Sequence, residues 1–217
     1  MYIYQVEREL LQKAIMKRKD ALHGRLLDAG SGRVSRYAHL FPAVTEVVRC
    51  DANENSSPDI LCSVEAILEK DEVYDSILCT QVLGDVRDPR KAFAEFFRVL
   101  RSGGTLLVSE GFFAEIHSAP EDYWRFTPFC LQLLAKEAGF TDISAEIIGG
   151  FWTVRSQMSA RLIINWFSLY KRPLIGKLFS ACFKLHGKIA ELLDHSMPKN
   201  VNNVFGHDVV LVAHKPH

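Results

Sequence analysis

The sequence lacks a surplus of charge of either sign. Its 26 basic and 26 acidic side chains cancel to a formal net charge of zero, so no global basic field argues for nucleic acid. Cysteine is scarce and odd in number, with Cys50, Cys62, Cys79, Cys130 and Cys182 making five. None of them forms a Cys-x-x-Cys pair, which weakens both a zinc-ribbon and a disulfide reading and fits a reducing, cytoplasmic compartment. Cys62 and Cys79 sit in apolar runs and read as small core residues. The histidines and cysteines lack ligand spacing, so no metal site is expected. Also missing is an unbroken apolar run of the roughly 20 residues that a bilayer span needs. The greasiest stretch, 162–183, is interrupted by Lys171, Arg172, Pro173 and Lys177. Residues 1–11 have no basic start followed by an apolar block, so no secretory signal is expected there. No repeat, low-complexity tract or clear linker is visible.

What is present is ordinary for a soluble globular chain: 217 residues, 48% of them hydrophobic and 24% charged. That length accommodates one α/β domain with a sizeable core and is short for two. Apolar Leu10, Leu11, Ala14 and Ile15 at helical spacing predict a helix over 7–19. Strands are then expected at 25–29, 46–50, 59–62, 74–79 and 105–109. Helices are expected at 34–41 and at 89–100, the latter with Ala92, Phe93, Phe96, Val99 and Leu100 on one side and Gly103-Gly104 as its stop. A further helix covers 127–138, with Thr127 as N-cap, Pro128 in the first position and Gly139 as the stop. Stretches 143–148 and 208–213 read as two closing strands. Strands alternating with helices imply right-handed crossovers and a doubly wound, mainly parallel, seven-stranded sheet. The expected organisation is one domain over 1–217. Its core spans 20–150, a helical insertion or lid occupies 151–205, and the final strand lies in 206–217.

The first strand ends in Asp28-Ala29-Gly30-Ser31-Gly32. In open parallel sheets ligands bind beyond the carboxyl ends of the strands, and glycines there permit a tight turn and close approach of a ligand. Asp51 ends the second strand, where a carboxylate can accept hydrogen bonds from both ribose hydroxyls. These two features fit either a dinucleotide or S-adenosylmethionine. Asp28 favours the second. A carboxylate at this turn would repel a pyrophosphate by about 1 kcal/mol or more, whereas S-adenosylmethionine brings an ammonium and a sulfonium. The third glycine of a dinucleotide fingerprint is also replaced, by Ser35.

Several segments together resemble the class I S-adenosylmethionine-dependent methyltransferases, type 11-like. Residues 26–41 resemble their first motif, and Val47-Val48-Arg49-Cys50-Asp51 their second-strand acid. Residues 74–83 resemble the fourth strand, and 97–108 the helix and fifth strand that follow. Glu121-Asp122-Tyr123-Trp124-Arg125-Phe126-Thr127-Pro128, closed by Ala138-Gly139-Phe140, resembles a segment of one branch of the family. The likeness covers about 20–150 and implies an enzyme that uses S-adenosylmethionine. By that resemblance Asp28, Gly30, Ser31 and Gly32 surround the methionine part. Asp51 holds the ribose with Ala52 beside the adenine, Ser63 and Val64 line the adenine edge, and Thr80 and Gln81 face the cofactor. The sequence departs from the family pattern at Val34, a common glycine, at Ser63, a usual aspartate, and at Gly84-Asp85, a common Glu-His pair.

Methyl transfer from a sulfonium mainly requires alignment of the acceptor, with a base where the acceptor is a hydroxyl or ammonium. His117 is the candidate base; the alternative is a solvent-facing loop histidine. Asp122, Tyr123, Trp124 and Arg125 are candidates for an acceptor clamp with aromatic walls and an arginine fork. The alternative places Trp124 in the core and pairs Arg125 with Asp122 or Glu121. Glu110 reads as a structural hydrogen-bond acceptor. The insertion, 156–193, mixes aromatics with basic residues. It is read as core packing or subunit contact, with a lid, a dock for a lipid-like acceptor, or peripheral membrane contact as the alternatives. The leading expectation is a methyltransferase acting on a small-molecule or lipid-linked acceptor. The alternative is a catalytically silent binding or scaffold module on the same fold.

Overall fold

A computed structural model describes residues 3–217. Helix α1 (Val6–Met16) precedes strands β1 (His23–Ala29), β2 (Ala43–Asp51), β3 (Ile60–Leu61) and β4 (Tyr74–Thr80). Helix α2 (Pro89–Val99), strand β5 (Leu100–Gly111), helix α3 (Pro128–Ala138) and strand β6 (Thr141–Ile148) follow. Helices α4 (Phe151–Trp166), α5 (Pro173–Ser196) and α6 (Lys199–Asn202) lead to strand β7 (Asp208–His214). All seven strands form one sheet in the order β3-β2-β1-β4-β5-β7-β6. The pairs β1–β2, β1–β4, β2–β3 and β4–β5 are parallel. This is the doubly wound architecture, with the insertion helices before the last strand.

The centre of the sheet is buried on both faces, which is why its strands read as continuous apolar runs. Leu26, Leu27, Ala29, Cys50, Ile77, Leu78, Cys79 and Leu106 are all inaccessible. Helix α2 presents Ala92, Phe93, Phe96 and Val99 to this core. The Asp88 side chain caps its first turn by accepting the Arg90 amide at 3.1 Å, a contact worth about 1 kcal/mol. Thr127 caps α3 by accepting the Cys130 amide, and Gly139 closes it at φ +104°.

Two local expectations are corrected. Residues 34–41 form no α-helix, only a single 3₁₀ turn at Ala38–Leu40. The backbone ahead of it is spent elsewhere: the Arg33 carbonyl accepts Arg49 Nη1 at 3.1 Å, and the Ser35 hydroxyl is donated to Asp28. Val34 is exposed and contributes nothing to a buried face. Gly103-Gly104 does not end α2, whose C-cap is the extended Leu100. The glycines lie inside β5. Tyr74 pairs with Leu100 and Ser76 with Thr105, so the intervening residues of β5 bulge, and Gly103 turns that corner at φ +78°.

The chain divides into two compact units. The larger comprises 14–111, 116–146 and 209–217, and carries most of the sheet; the smaller comprises residues up to Lys13, 112–115 and 147–208. In the smaller unit, Ile3, Tyr4, Val6, Ala160, Ile164, Leu169 and Phe183 form a buried cluster. Lys188 pairs with Glu9, and Lys13 with Glu191 at 2.7 Å, tying α1 to α5. The start of α4 is held by a buried carboxylate. Asp194 accepts the amides of Trp152 at 2.8 Å and Thr153 at 2.9 Å, and the Thr153 hydroxyl at 2.7 Å.

Candidate functional site

The carboxyl ends of β1, β2 and β4 meet in the larger unit. At the end of β1 the chain turns on Gly30 (φ +75°) and Gly32 (φ +62°). Gly30 has no room for a side chain, because a Cβ would stand 2.3 Å from Val82 Cγ2. Gly32 has open space where its Cβ would be. The amides of Gly30 and Ser31 both donate to the Cys50 carbonyl, at 2.8 and 3.1 Å, which joins this turn to β2.

Asp51 closes β2. It accepts the Gly32 amide on Oδ2 at 2.7 Å and the Asn53 amide on Oδ1 at 2.8 Å. Each carboxylate oxygen can accept two hydrogen bonds, so one acceptor position remains on each. Asp28 lies behind the turn, almost wholly buried. Burial pushes its carboxyl up to about 6, opposed by the Ser35 hydroxyl and the nearby Arg49 and assisted by Asp51.

The end of β4 is held by Glu110 from β5. This buried carboxylate accepts the amides of Val82, Leu83 and Gly84 at 2.9, 2.7 and 3.2 Å. Burial pushes it up to about 7 against those three donors. Its role is the structural one read from the sequence. Gln81, just before this clasp, has φ +58°, a left-handed conformation that costs a non-glycine residue roughly 1–2 kcal/mol. Its amide donates to the Ser109 carbonyl at 2.8 Å.

Between these ends lies a cleft of about 720 Å³, lined by Gly30, Asp51, Ala52, Asn53, Ser63, Val64, Glu65, Gln81, Val82, Asp85, Val86, Ser118 and Glu121. It therefore gathers Gly30, Asp51, Ala52, Ser63, Val64 and Gln81 of the residues expected to surround a cofactor. Asp28, Ser31, Gly32 and Thr80 do not line it. Of the lining residues, Asn53, Glu65, Val82, Asp85, Val86, Ser118 and Glu121 were not expected. Asn53 and Val82 lie two residues past the ends of β2 and β4, and Glu65 adjoins the expected Val64, so proximity in sequence is a usable signal for them. Glu121 stands in the segment 121–128 but is expected there only as a partner for Arg125.

The lining has one chemical character. It contains four carboxylates, of Asp51, Glu65, Asp85 and Glu121, and no lysine, arginine or histidine. Asp85 Oδ1 is buried with no hydrogen-bond partner. Such a surface favours a cationic ligand with hydroxyls to donate and disfavours a diphosphate.

The expected acceptor residues lie in the segment after β5. Asp122 and Arg125 form a two-pronged pair, Nη1 to Oδ1 at 2.5 Å and Nη2 to Oδ2 at 3.1 Å. The guanidinium holds the Asp122 carboxyl well below the usual carboxylate range. Asp122 also accepts the His117 amide at 2.8 Å and stands 3.4 Å from His117 Nδ1. Tyr123 and Trp124 are not core: both are partly exposed. Their amides donate to the Gly84 carbonyl at 2.8 and 3.1 Å, and Trp124 Nε1 to the carbonyl of the cleft residue Val86 at 2.9 Å. Ligand-type atoms of Asp85, His117 and Asp122 come within 4.8 Å of one another, a grouping the sequence spacing did not reveal. The thiols of Cys50 and Cys62 touch at 2.8 Å behind the cleft; both are free and buried.

Residues 27–108 match the methyltransferase domain family. Over 93 residues the chain is 34% identical to the ubiquinone/menaquinone biosynthesis C-methyltransferase UbiE of Cronobacter sakazakii, covering 41% of this chain and 37% of that protein. Among solved structures it resembles phosphoethanolamine N-methyltransferase 2 of Haemonchus contortus in complex with S-adenosyl-L-methionine. That match has a TM-score of 0.60 and 19% identity, over 95% of this chain and 52% of that one. A possible histamine N-methyltransferase of Thermotoga maritima aligns with a TM-score of 0.58 and 17% identity, over 97% of this chain and 91% of that one. At these identities the structures establish the fold. The chain spans little more than a third of the curated relative and about half of the Haemonchus contortus enzyme.

Proposed function

We propose that this chain, whose residues 27–108 match the methyltransferase domain family, is a class I S-adenosylmethionine-dependent methyltransferase that transfers a methyl group to a small-molecule or lipid-linked acceptor. S-adenosylmethionine is the cofactor of this family, and it supplies an activated methyl on a sulfonium centre. The observation that carries the reading is the acid-only lining of the cleft. Four carboxylates without a basic side chain suit a cofactor with an ammonium and a sulfonium and reject a pyrophosphate-bearing dinucleotide.

Asp51 receives the ribose through the acceptor position left on each oxygen. Ala52, Ser63 and Val64 flank the base, and Gly30 lets the backbone come close on the methionine side. Gln81, fixed in its left-handed conformation by the clasp of Glu110, lines the path toward the acceptor. His117, braced by Asp122, accepts the proton where the acceptor is a hydroxyl or ammonium. Arg125 keeps Asp122 ionised, and therefore keeps the brace. Tyr123 and Trp124 supply an aromatic wall for the acceptor.

Calorimetry with S-adenosylmethionine and S-adenosylhomocysteine tests the cofactor site, and conversion of one to the other in the presence of candidate acceptors tests the chemistry. Saturable binding of both, weakened at least tenfold by Asp51→Ala, is the expected result. Binding of NADH in preference to either would overturn it.

A further inference from the structure

The smaller unit carries a surface that the proposed chemistry does not use. On α5, Leu174, Leu178, Leu185 and Leu192 recur at steps of four and seven and so share one face of the helix. They are 82%, 67%, 65% and 71% exposed. The opposite face holds Gly176, Phe183, Gly187 and Ala190, which are buried. The helix thus has its ordinary core-facing stripe and a second apolar stripe turned to solvent. Contiguous exposed apolar surface of this kind marks an interaction site. The turn leading into α5 adds Trp166, exposed at 75%, stacked on Phe167 with ring centres 6.1 Å apart.

The charge around this stripe is one-sided. Residues 151–190 carry seven lysines and arginines and no aspartate or glutamate, although the whole chain is neutral. Arg161 is paired with Glu115 and Lys188 with Glu9. Lys171, Arg172, Lys177 and Lys184 are exposed, and none has an ion-pair partner among the described residues.

We propose that the exposed leucine face of α5 and the Trp166–Leu174 turn dock on an anionic lipid surface. Leucines and tryptophan on one face with lysines and arginines beside them are the composition of a helix lying in a bilayer interface. The apolar side chains enter the acyl boundary while the long basic stems reach the phosphates. No described helix is long and apolar enough to cross a membrane. A second copy of the chain is the poorer occupant, because its matching face carries the same uncompensated positive charge.

The test is flotation of the full chain with vesicles of phosphatidylcholine alone and of phosphatidylcholine mixed with phosphatidylglycerol. Binding to the mixed vesicles only, weakened by raised salt, is expected. Each charge removed, as in Lys171→Gln or Arg172→Gln, should weaken it about fivefold. The pair Leu174→Glu and Leu178→Glu should abolish it. Both leucines are solvent-exposed, so thermal unfolding and S-adenosylmethionine binding should be unchanged, which separates this surface from the cofactor site. No flotation with the mixed vesicles, equal flotation with neutral ones, or a dimer that the leucine variants dissociate without any vesicle binding would overturn the proposal.

Discussion

Asp51 Oδ2 accepts the Gly32 amide at 2.7 Å. This bond ties the end of β2 to the glycine turn after β1, so the residue proposed to hold the ribose also sets the turn proposed to hold the methionine part. Asp51→Ala is therefore expected to act twice, removing a ribose acceptor and releasing the turn. Asp51→Asn keeps an oxygen but loses the charge. Charged hydrogen bonds contribute about 1.5–3 kcal/mol each, so titration calorimetry should show the asparagine variant intermediate and the alanine variant weaker still.

The two glycines of the turn should respond differently to substitution. Both have positive φ, so each alanine costs roughly 1–2 kcal/mol of backbone strain. Gly30→Ala adds a collision with Val82, whose Cγ2 stands 2.3 Å from the new carbon, and overpacking of that kind adds about 1–3 kcal/mol. Gly32→Ala meets nothing. Chemical denaturation should find Gly30→Ala the less stable of the two.

Glu110 gives the protein a pH dependence with a definite sign. Its carboxyl is raised by burial from 4.5 to about 7 in the folded state. Between those values the folded chain binds more protons than the unfolded one, so its contribution to stability is greatest below about 4.5 and is lost as pH rises toward 7. Asp28, raised from 3.8 to about 6, acts in the same direction over its own range. His207, lowered by burial from 6.5 to about 4, acts oppositely and favours folding as pH rises through that interval. Glu110→Gln should remove its share of the decline, on the order of a few kcal/mol, while keeping an oxygen for the amides of Val82 and Leu83. Denaturant midpoints of the two proteins measured between pH 4 and pH 7 should therefore differ in slope.

Asp194 is the keystone of the smaller unit's helical pair. Asp194→Ala leaves the amides of Trp152 and Thr153 without their acceptor, while the Thr153 hydroxyl keeps the Gly150 carbonyl, and buried donors stranded in this way cost about 1–3 kcal/mol each. Limited proteolysis should cut the variant within 151–205 faster than the parent protein. Equal resistance would show that α4 does not depend on this carboxylate.

The frame of the fold was legible because burial on both faces leaves apolar runs, as at Leu26-Leu27 and Ile77-Leu78, and because a glycine turn after such a run has few meanings. Residues 34–41 were misread because the pattern shows which side chains suit a helix, not that Arg49 and Asp28 draw off the backbone carbonyl of Arg33 and the hydroxyl of Ser35. Gly103 was read as a helix stop because a strand bulge needs the same backbone freedom. Within the cleft, Asp51 was legible from its place after an apolar strand. Glu121 was not, since only tertiary folding brings the segment after β5 to the cleft. The insertion reads as a mixture of aromatic and basic residues, and composition does not say which of the leucines of α5 face protein and which face solvent.

The acid-lined cleft at the ends of β1, β2 and β4 is proposed to select a cationic methyl donor. It is tested most directly by competition at equilibrium, with S-adenosylmethionine titrated into the protein in the presence of excess NADH, and into the Asp51→Ala variant. Saturable S-adenosylmethionine binding is expected, untouched by NADH and weakened at least tenfold in the variant. Displacement of S-adenosylmethionine by NADH, or undiminished affinity in Asp51→Ala, would contradict it.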